Sequence, residues 1–150
     1  MSGADHKATQ FHSTPFREVE SNLSPDGKFL TYTSYESGHG EIFAQSLEPG
    51  GGRWQISTHG GVESRWRPDG KEIFYIAGNI LMAVDIKASG NALVPGIPHQ
   101  LFKISALVSG RNRYVVTHDG QRFLMVVPEK QGPPAPSMVV VNWPALLPKK

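Results

Sequence analysis

Apolar and β-branched residues fall along this chain in short runs broken by Gly, Pro, Asp and Asn, and long runs of strong helix formers are absent. The pattern predicts strands over 17–24, 28–34, 41–47 and 53–57, joined by turns at 36–40 and 48–52. It predicts a second set over 62–67, 72–77, 80–86 and 100–105, with 58–61 connecting the sets, a turn at Gly78-Asn79 and a polar loop over 87–99. A partial third set follows over 113–117, 122–127 and 137–143, with a Pro-rich connector over 128–136.

The sets restart because the sequence repeats. Val62–Lys71 (Val-Glu-Ser-Arg-Trp-Arg-Pro-Asp-Gly-Lys) matches residues 19–28 (Val-Glu-Ser-Asn-Leu-Ser-Pro-Asp-Gly-Lys) at seven of ten positions, at an offset of 43 residues. A weaker third copy ends at His118-Asp119-Gly120, 50 residues further on, with His in place of Pro. In each copy a strand runs into a tight turn. Pro25 and Pro68 preset φ at the second turn position, Asp26, Asp69 and Asp119 tolerate the third, and Gly27, Gly70 and Gly120 supply the left-handed fourth.

The strand leaving each turn is apolar on both faces: Phe29, Leu30 and Tyr32, then Ile73, Phe74, Tyr75 and Ile76, then Phe123, Leu124, Met125 and Val126. A sheet with one face in water would alternate. Small sheets stacked face to face need no alternation, and a period of 40–50 residues is the spacing of propeller blades. The expected fold is all-β: about three four-stranded antiparallel blades of a β-propeller, over 17–57, 62–105 and 113–143. Residues 1–8 form a disordered lead, 9–13 a spare strand, and 148–150 a tail, with the partial propeller spanning 9–147.

The repeated Ser/Arg-Pro-Asp-Gly-Lys followed by an apolar strand resembles the TolB-type, WD-repeat-like propeller blade over nearly the whole chain. More narrowly, residues 24–34, 36–38, 52–57, 66–75, 81–84, 119–124 and 139–143 resemble the C-terminal propeller segment of bacterial eukaryotic-like serine/threonine protein kinases. That resemblance implies a sensor or scaffold outside the cytoplasmic membrane, attached to a kinase domain. The kinase motifs themselves are missing: no Gly-rich phosphate loop with its strand Lys, no His-Arg-Asp and no Asp-Phe-Gly occur. Such propellers commonly have six or seven blades, and this chain supplies about three. An open fan exposes unpaired edges, so two readings stand side by side: two chains form a six-bladed ring, each 9–13 strand completing the last blade of the other, or the chain is a piece of a longer protein that holds the rest of the ring.

Composition adds exclusions. Sixteen Gly and twelve Pro fit a turn-rich β chain, and the absence of Cys removes disulfides, thiolate metal sites and thiol nucleophiles. The formal net charge of +2 is too mild for a nucleic-acid surface. The densest basic cluster, Arg65, Arg67 and Lys71, is read as a solvated strand edge. No run approaches the ~18 apolar residues of a membrane span, and the first ten residues lack the apolar core of a signal peptide.

Candidate chemistry is sparse. The three Asp-Gly turns are read as structural, since calcium needs several oxygens converging within about 2.6 Å and hairpin tips on separate blades do not converge so closely. His6, His12, His39, His59, His99 and His118 show no ligand spacing, so no metal or cofactor is expected. His59-Gly60-Gly61 has no Gly-x-Ser-x-Gly partner and is read as a turn. Trp54, Trp66 and Trp143 fall on strands as inter-blade core. Glu20 and Glu63 recur in register and are expected to face a polar channel. The expected function is a non-catalytic module binding a protein or small ligand. The alternative is the propeller part of a hydrolase, either a peptidase gating domain or a metal-dependent lactonase-like enzyme.

Overall fold

The structure, a computed structural model, describes Phe11, residues 14–105 and residues 107–128. Among these residues it contains eleven strands in three antiparallel sheets and no helix. The first sheet takes β1 (Glu18–Leu23), β2 (Phe29–Ser34), β3 (Glu41–Ser46) and β4 (Arg53–Gln55) in chain order. The second begins the same way with β5 (Val62–Trp66), β6 (Glu72–Ala77) and β7 (Ile80–Ser89). The third pairs β10 (Tyr114–Val116) with β11 (Phe123–Met125). The spare strand expected at 9–13 and the strand expected at 137–143, with Trp143, lie outside the described residues, as do the lead and tail.

The second sheet differs from expectation. Most of residues 87–99 is not a loop. Strand β7 continues to Ser89, turns through Gly90 and Asn91, and returns as β8 (Ala92–Pro95), with Ile86 opposite Pro95 and Ser89 opposite Ala92. Gly90 has φ 60°, which a two-residue hairpin turn requires. The segment looks loop-like in sequence because most of it is in water; buried Ile86 and Leu93 are its anchors. Strand β9 (His99–Lys103) then pairs with the first half of β7, from Ile80 opposite Lys103 to Ala83 opposite His99. The long β7 thus serves two partners along one edge.

The sheets stack, and the alternation of β6 shows why both of its faces are apolar. Ile73 and Tyr75 join Phe29, Ile42, Ala44 and Ile56 of the first sheet in one core, whereas Phe74 and Ile76 join Tyr114 in another, lined also by Phe123 and Met125. A fully buried side chain of this size contributes about 1.5–3 kcal/mol, so the middle sheet anchors both neighbours. The third sheet departs from the expectation of two covered faces. Its inner residues pack on the second sheet, but Val115 and Leu124, directly opposite one another, are 54% and 73% exposed.

Two carboxylates lock the stack. Each inner strand carries a bulge at the same place: Glu20 and Ser21 oppose Tyr32, and Glu63 and Ser64 oppose Tyr75. Glu20 and Glu63 take positive φ, 59° and 55°, in a bulge position that favours Gly. This conformation sends each carboxylate to the next sheet. Glu20 Oε2 accepts the backbone N–H of Glu63 at 3.0 Å, and Glu63 Oε2 accepts the backbone N–H of Arg113 at 2.8 Å. Arg113 is the third-copy counterpart of Glu63, so the bond repeats with the sequence. Glu63 is 1% exposed and also pairs with Arg113 Nε at 2.7 Å. Both carboxylates are therefore engaged between sheets, and neither is free to line a channel as its sequence position suggests.

Candidate functional site

The three Asp-Gly turns share one hydrogen-bond plan. In each, the Gly N–H returns to the carbonyl three residues back, from Gly27 to Ser24, Gly70 to Arg67 and Gly120 to Thr117, at 2.8–2.9 Å. The Asp carboxylate accepts the N–H two residues on: Lys28 to Asp26 at 3.1 Å, Lys71 to Asp69 at 3.0 Å, Gln121 to Asp119 at 3.0 Å. It also accepts from the side chain two residues before it, the Ser24 hydroxyl, the Arg67 guanidinium or the Thr117 hydroxyl. These donors hold all three carboxyls below their ordinary range. Asp69, facing the Arg67 guanidinium through two bonds, goes down to about 2.

Stacking of the sheets brings the turns side by side. A Cβ added at Gly70 would meet Pro25 Cδ at 3.9 Å, and one at Gly120 would meet Arg67 Cδ at 2.5 Å. Gly120 thus has a second reason to be Gly besides its φ of 70°: the stem of Arg67 crosses it. Pro25, Asp26, Gly27, Pro68, Asp69, Gly70, Asp119 and Gly120 are therefore one row at one end of the stack.

Between the first two turns lies a cleft of about 620 Å³. Ser24, Pro25 and Asp26 form one wall, Pro68–Lys71 another, and the β7–β8 hairpin contributes Ile86, Lys87, Ala88 and Leu93. Phe29 and Trp66 line it between the sheets. Trp66 is 8% exposed, and its Nε1 is the buried side-chain nitrogen or oxygen that lacks a hydrogen-bond partner among the described residues. A buried donor left unpaired costs about 1–3 kcal/mol; Trp66 lines the cleft, but its Nε1 has no exposed surface.

No protein-family model matches the chain, and no curated protein matches it. Among solved structures it is similar to TolB from Acinetobacter baumannii, at 16% identity and a TM-score of 0.43. The similarity covers 81% of this chain and 40% of that one, so the chain spans less than half the length of that structure.

Away from the turns, the buried carboxylate of Glu41 is spent on structure. Glu41, 2% exposed, accepts from the Ser57 hydroxyl, from the Gly60 N–H at 2.9 Å, and contacts His39 Nε2 at 2.9 Å. Ser, Glu and His are thus adjacent, but the carboxylate sits between the other two and the Ser57 hydroxyl is buried. A triad needs the imidazole in the middle. His59 contacts Thr58 Oγ1 at 3.0 Å on an exposed turn. Among the described residues no three His, Asp or Glu side chains cluster as a metal site would require, and no helix is long and apolar enough to cross a membrane.

Of the basic cluster, Arg67 is the member that is ion-paired among the described residues. Arg65 bonds the Ser64 carbonyl at 2.8 Å and Asn112 Oδ1 at 3.0 Å, and Arg67 pairs with Asp69 and Glu72. Lys71 is left on the cleft rim. The sequence placed the turns but gave no sign that Trp66, Ile86 and Leu93 meet between them. Leu93 belongs to a hairpin that reads as a loop. The only available signal was Gly90-Asn91, a two-residue hairpin turn between runs containing Ile86 and Leu93.

Proposed function

We propose that the chain is part of a β-propeller, three blades of it, acting as a non-catalytic interaction or ligand-sensing module. The observation that carries this reading is the cleft between the turns. The same strand–turn–strand unit recurs in three stacked sheets, and its turns form a rigid row with a small-molecule-sized recess, within the roughly 300–1,000 Å³ of ligand pockets. The repeated carboxylate bond from Glu20 to Glu63 and from Glu63 to Arg113 supports successive blades related by one operation. The resemblance to kinase-linked propellers makes this module the sensor or scaffold part of a larger protein; any kinase activity belongs to that parent.

The test is turnover. Purified chain is expected to hydrolyse neither ester, lactone nor peptide substrates, with or without added divalent cations. Metal-dependent hydrolysis abolished by His59→Ala or Asp69→Ala would replace this reading with the hydrolase alternative.

Three blades do not close a ring, and the exposed Val115–Leu124 face marks the open end among the described residues. A homodimer completing six blades by exchange of the 9–13 strands satisfies both. Arg113 stands where the third blade would need a Glu, so the junction between copies cannot reuse the carboxylate bond and depends on strand exchange and apolar contact. Light scattering after gel filtration is expected to give twice the mass of one chain; a stable, folded monomer would exclude the ring of two copies.

A further inference from the structure

We propose that the open edge of β11 is a strand-docking site and that residues 138–143 of the same chain occupy it in one register, Val140 opposite Leu124 and Asn142 opposite Arg122. This rests on the reading above of the third sheet as a blade like the other two.

The edge is the first observation. Strand β2 is paired by β1 and β3, and β6 by β5 and β7, whereas β11 pairs with β10 alone among the described residues. Its other edge offers backbone N–H and C=O groups to an added strand. The second observation is Phe102. In the first sheet Trp54, opposite Ala44, packs on a core that Met82, Val84 and Ile86 of β7 enter from the second. Phe102 of β9 stands opposite Leu81 on the corresponding face of the second sheet and meets Phe123 of the third at 5.8 Å, yet it is 37% exposed. A counterpart of β7 in the third sheet is what would cover it.

The sequence supplies the occupant. The third strands of the first two sheets contain Ile-Phe-Ala-Gln-Ser-Leu at 42–47 and Leu-Met-Ala-Val-Asp-Ile at 81–86; residues 138–143 are Met-Val-Val-Val-Asn-Trp. All three have apolar first and third positions, a small polar fifth and a large apolar sixth. Both observed copies pair in the same register relative to the Asp-Gly turn. Thr31 is opposite Ala44 and Phe74 opposite Ala83, and the N–H of Leu47 or Ile86 donates to the carbonyl of Lys28 or Lys71 at 2.9 or 2.8 Å. Carried to the turn at Gly120, that register sets the Trp143 N–H on the Gln121 carbonyl and Val140 against Leu124.

The faces follow by alternation. Ile42 and Ala44, like Leu81 and Ala83, face the following sheet, and Met82 and Val84 face the preceding one. Val139 and Val141 therefore turn toward the second sheet, where Phe102 is open, and Met138 and Val140 extend the exposed face of Val115 and Leu124. Residues 127–137 join Val126 to Met138. At about 3.3 Å each they reach well beyond the roughly 5 Å between paired strands, and a tethered strand meets the edge at a higher effective concentration than one from a separate copy.

The experiment uses the full chain, which has no Cys of its own. In the proposed register Leu124 and Val140 form a non-hydrogen-bonded pair with Cα atoms about 4.5 Å apart, within reach of a disulfide. In dilute solution with diamide as oxidant, Leu124→Cys/Val140→Cys is expected to lose both titratable thiols and to run as a single cross-linked chain on a non-reducing gel. Leu124→Cys/Val139→Cys, slipped by one residue onto the opposite face, is expected to keep them. No cross-link in the first variant, equal cross-linking in both, or a link formed only between two chains overturns the proposal; the last result gives the edge to a second copy. Hydrogen exchange of the natural chain tests the same register without substitutions. The Val139, Val141 and Trp143 amides are expected to exchange more slowly than in a peptide of residues 129–150, and equal rates overturn the proposal. The hydrolysis and light-scattering tests above decide the module and the ring independently of these results.

Discussion

Glu63→Ala is expected to lower the unfolding free energy by about 3–5 kcal/mol, the usual penalty for removing one partner of a buried ion pair. Glu63 is 1% exposed and its partner Arg113 is 16% exposed. Truncation leaves a guanidinium and a backbone N–H facing a void between the second and third sheets. Two companion variants separate the contributions. Glu63→Gln keeps an acceptor for the Arg113 N–H and loses only the charge, so its loss is smaller. Glu63→Gly loses the carboxylate but relieves a left-handed conformation worth about 1–2 kcal/mol, so it falls between the other two. Urea unfolding curves give the order directly, from the midpoint shift at constant slope. An alanine variant within about 1 kcal/mol of the natural chain would show that the bond is incidental, since surface pairs contribute that little.

Phe74→Ala is expected to cost about 3–5 kcal/mol as a core truncation, and to do so unevenly along the chain. Phe74 meets Phe123 edge-on at 4.9 Å and packs in the core shared by the second and third sheets. The third sheet has two short described strands, with one face packed and Val115 and Leu124 exposed on the other. Losing Phe74 removes the surface that holds it. Hydrogen exchange is expected to accelerate first over Tyr114–Val116 and Phe123–Met125, while Phe29–Ser34 and Glu41–Ser46 keep their protection. Uniform acceleration along the chain would mean that the sheets unfold as a single unit.

The repeat made most of the strands legible. Ser24, Arg67 and Thr117 open turns that the local chemistry of Asp and Gly dictates, and those turns set the hairpins on either side. Strand β6 was placed at its observed bounds because a run apolar on both faces, closed by Gly78-Asn79, has few other folds open to it. Where local signals weaken, the reading failed. The β7–β8 hairpin looks like a loop because its exposed residues are polar and only Ile86 and Leu93 are anchored. The outer face of β11 looks like core, yet Leu124 is 73% exposed, because coverage depends on a neighbouring sheet and not on β11 itself.

The candidate site was half legible. Its turn residues could be named in advance, since one Asp accepting its own backbone N–H is a local event. The recess between the turns could not, because it exists only when sheets built from sequence copies 43 residues apart are stacked. Glu20 and Glu63 show the same division. Their recurrence is plain in the chain, but sequence suggests two carboxylates in a polar channel, and the bulge turns each of them onto the backbone of the next sheet.

By itself, then, the sequence determined an all-β chain of repeated hairpins with Asp-Gly turns, because turn chemistry and apolar runs act over a few residues. Tertiary structure decided what those hairpins enclose. It buried Trp66 with its indole N–H unpaired, gave Glu63 a partner at Arg113 and carried the Glu20 carboxylate to the Glu63 N–H. Each of these depends on atoms brought together from different sheets, a distance over which residue pattern carries no geometric information.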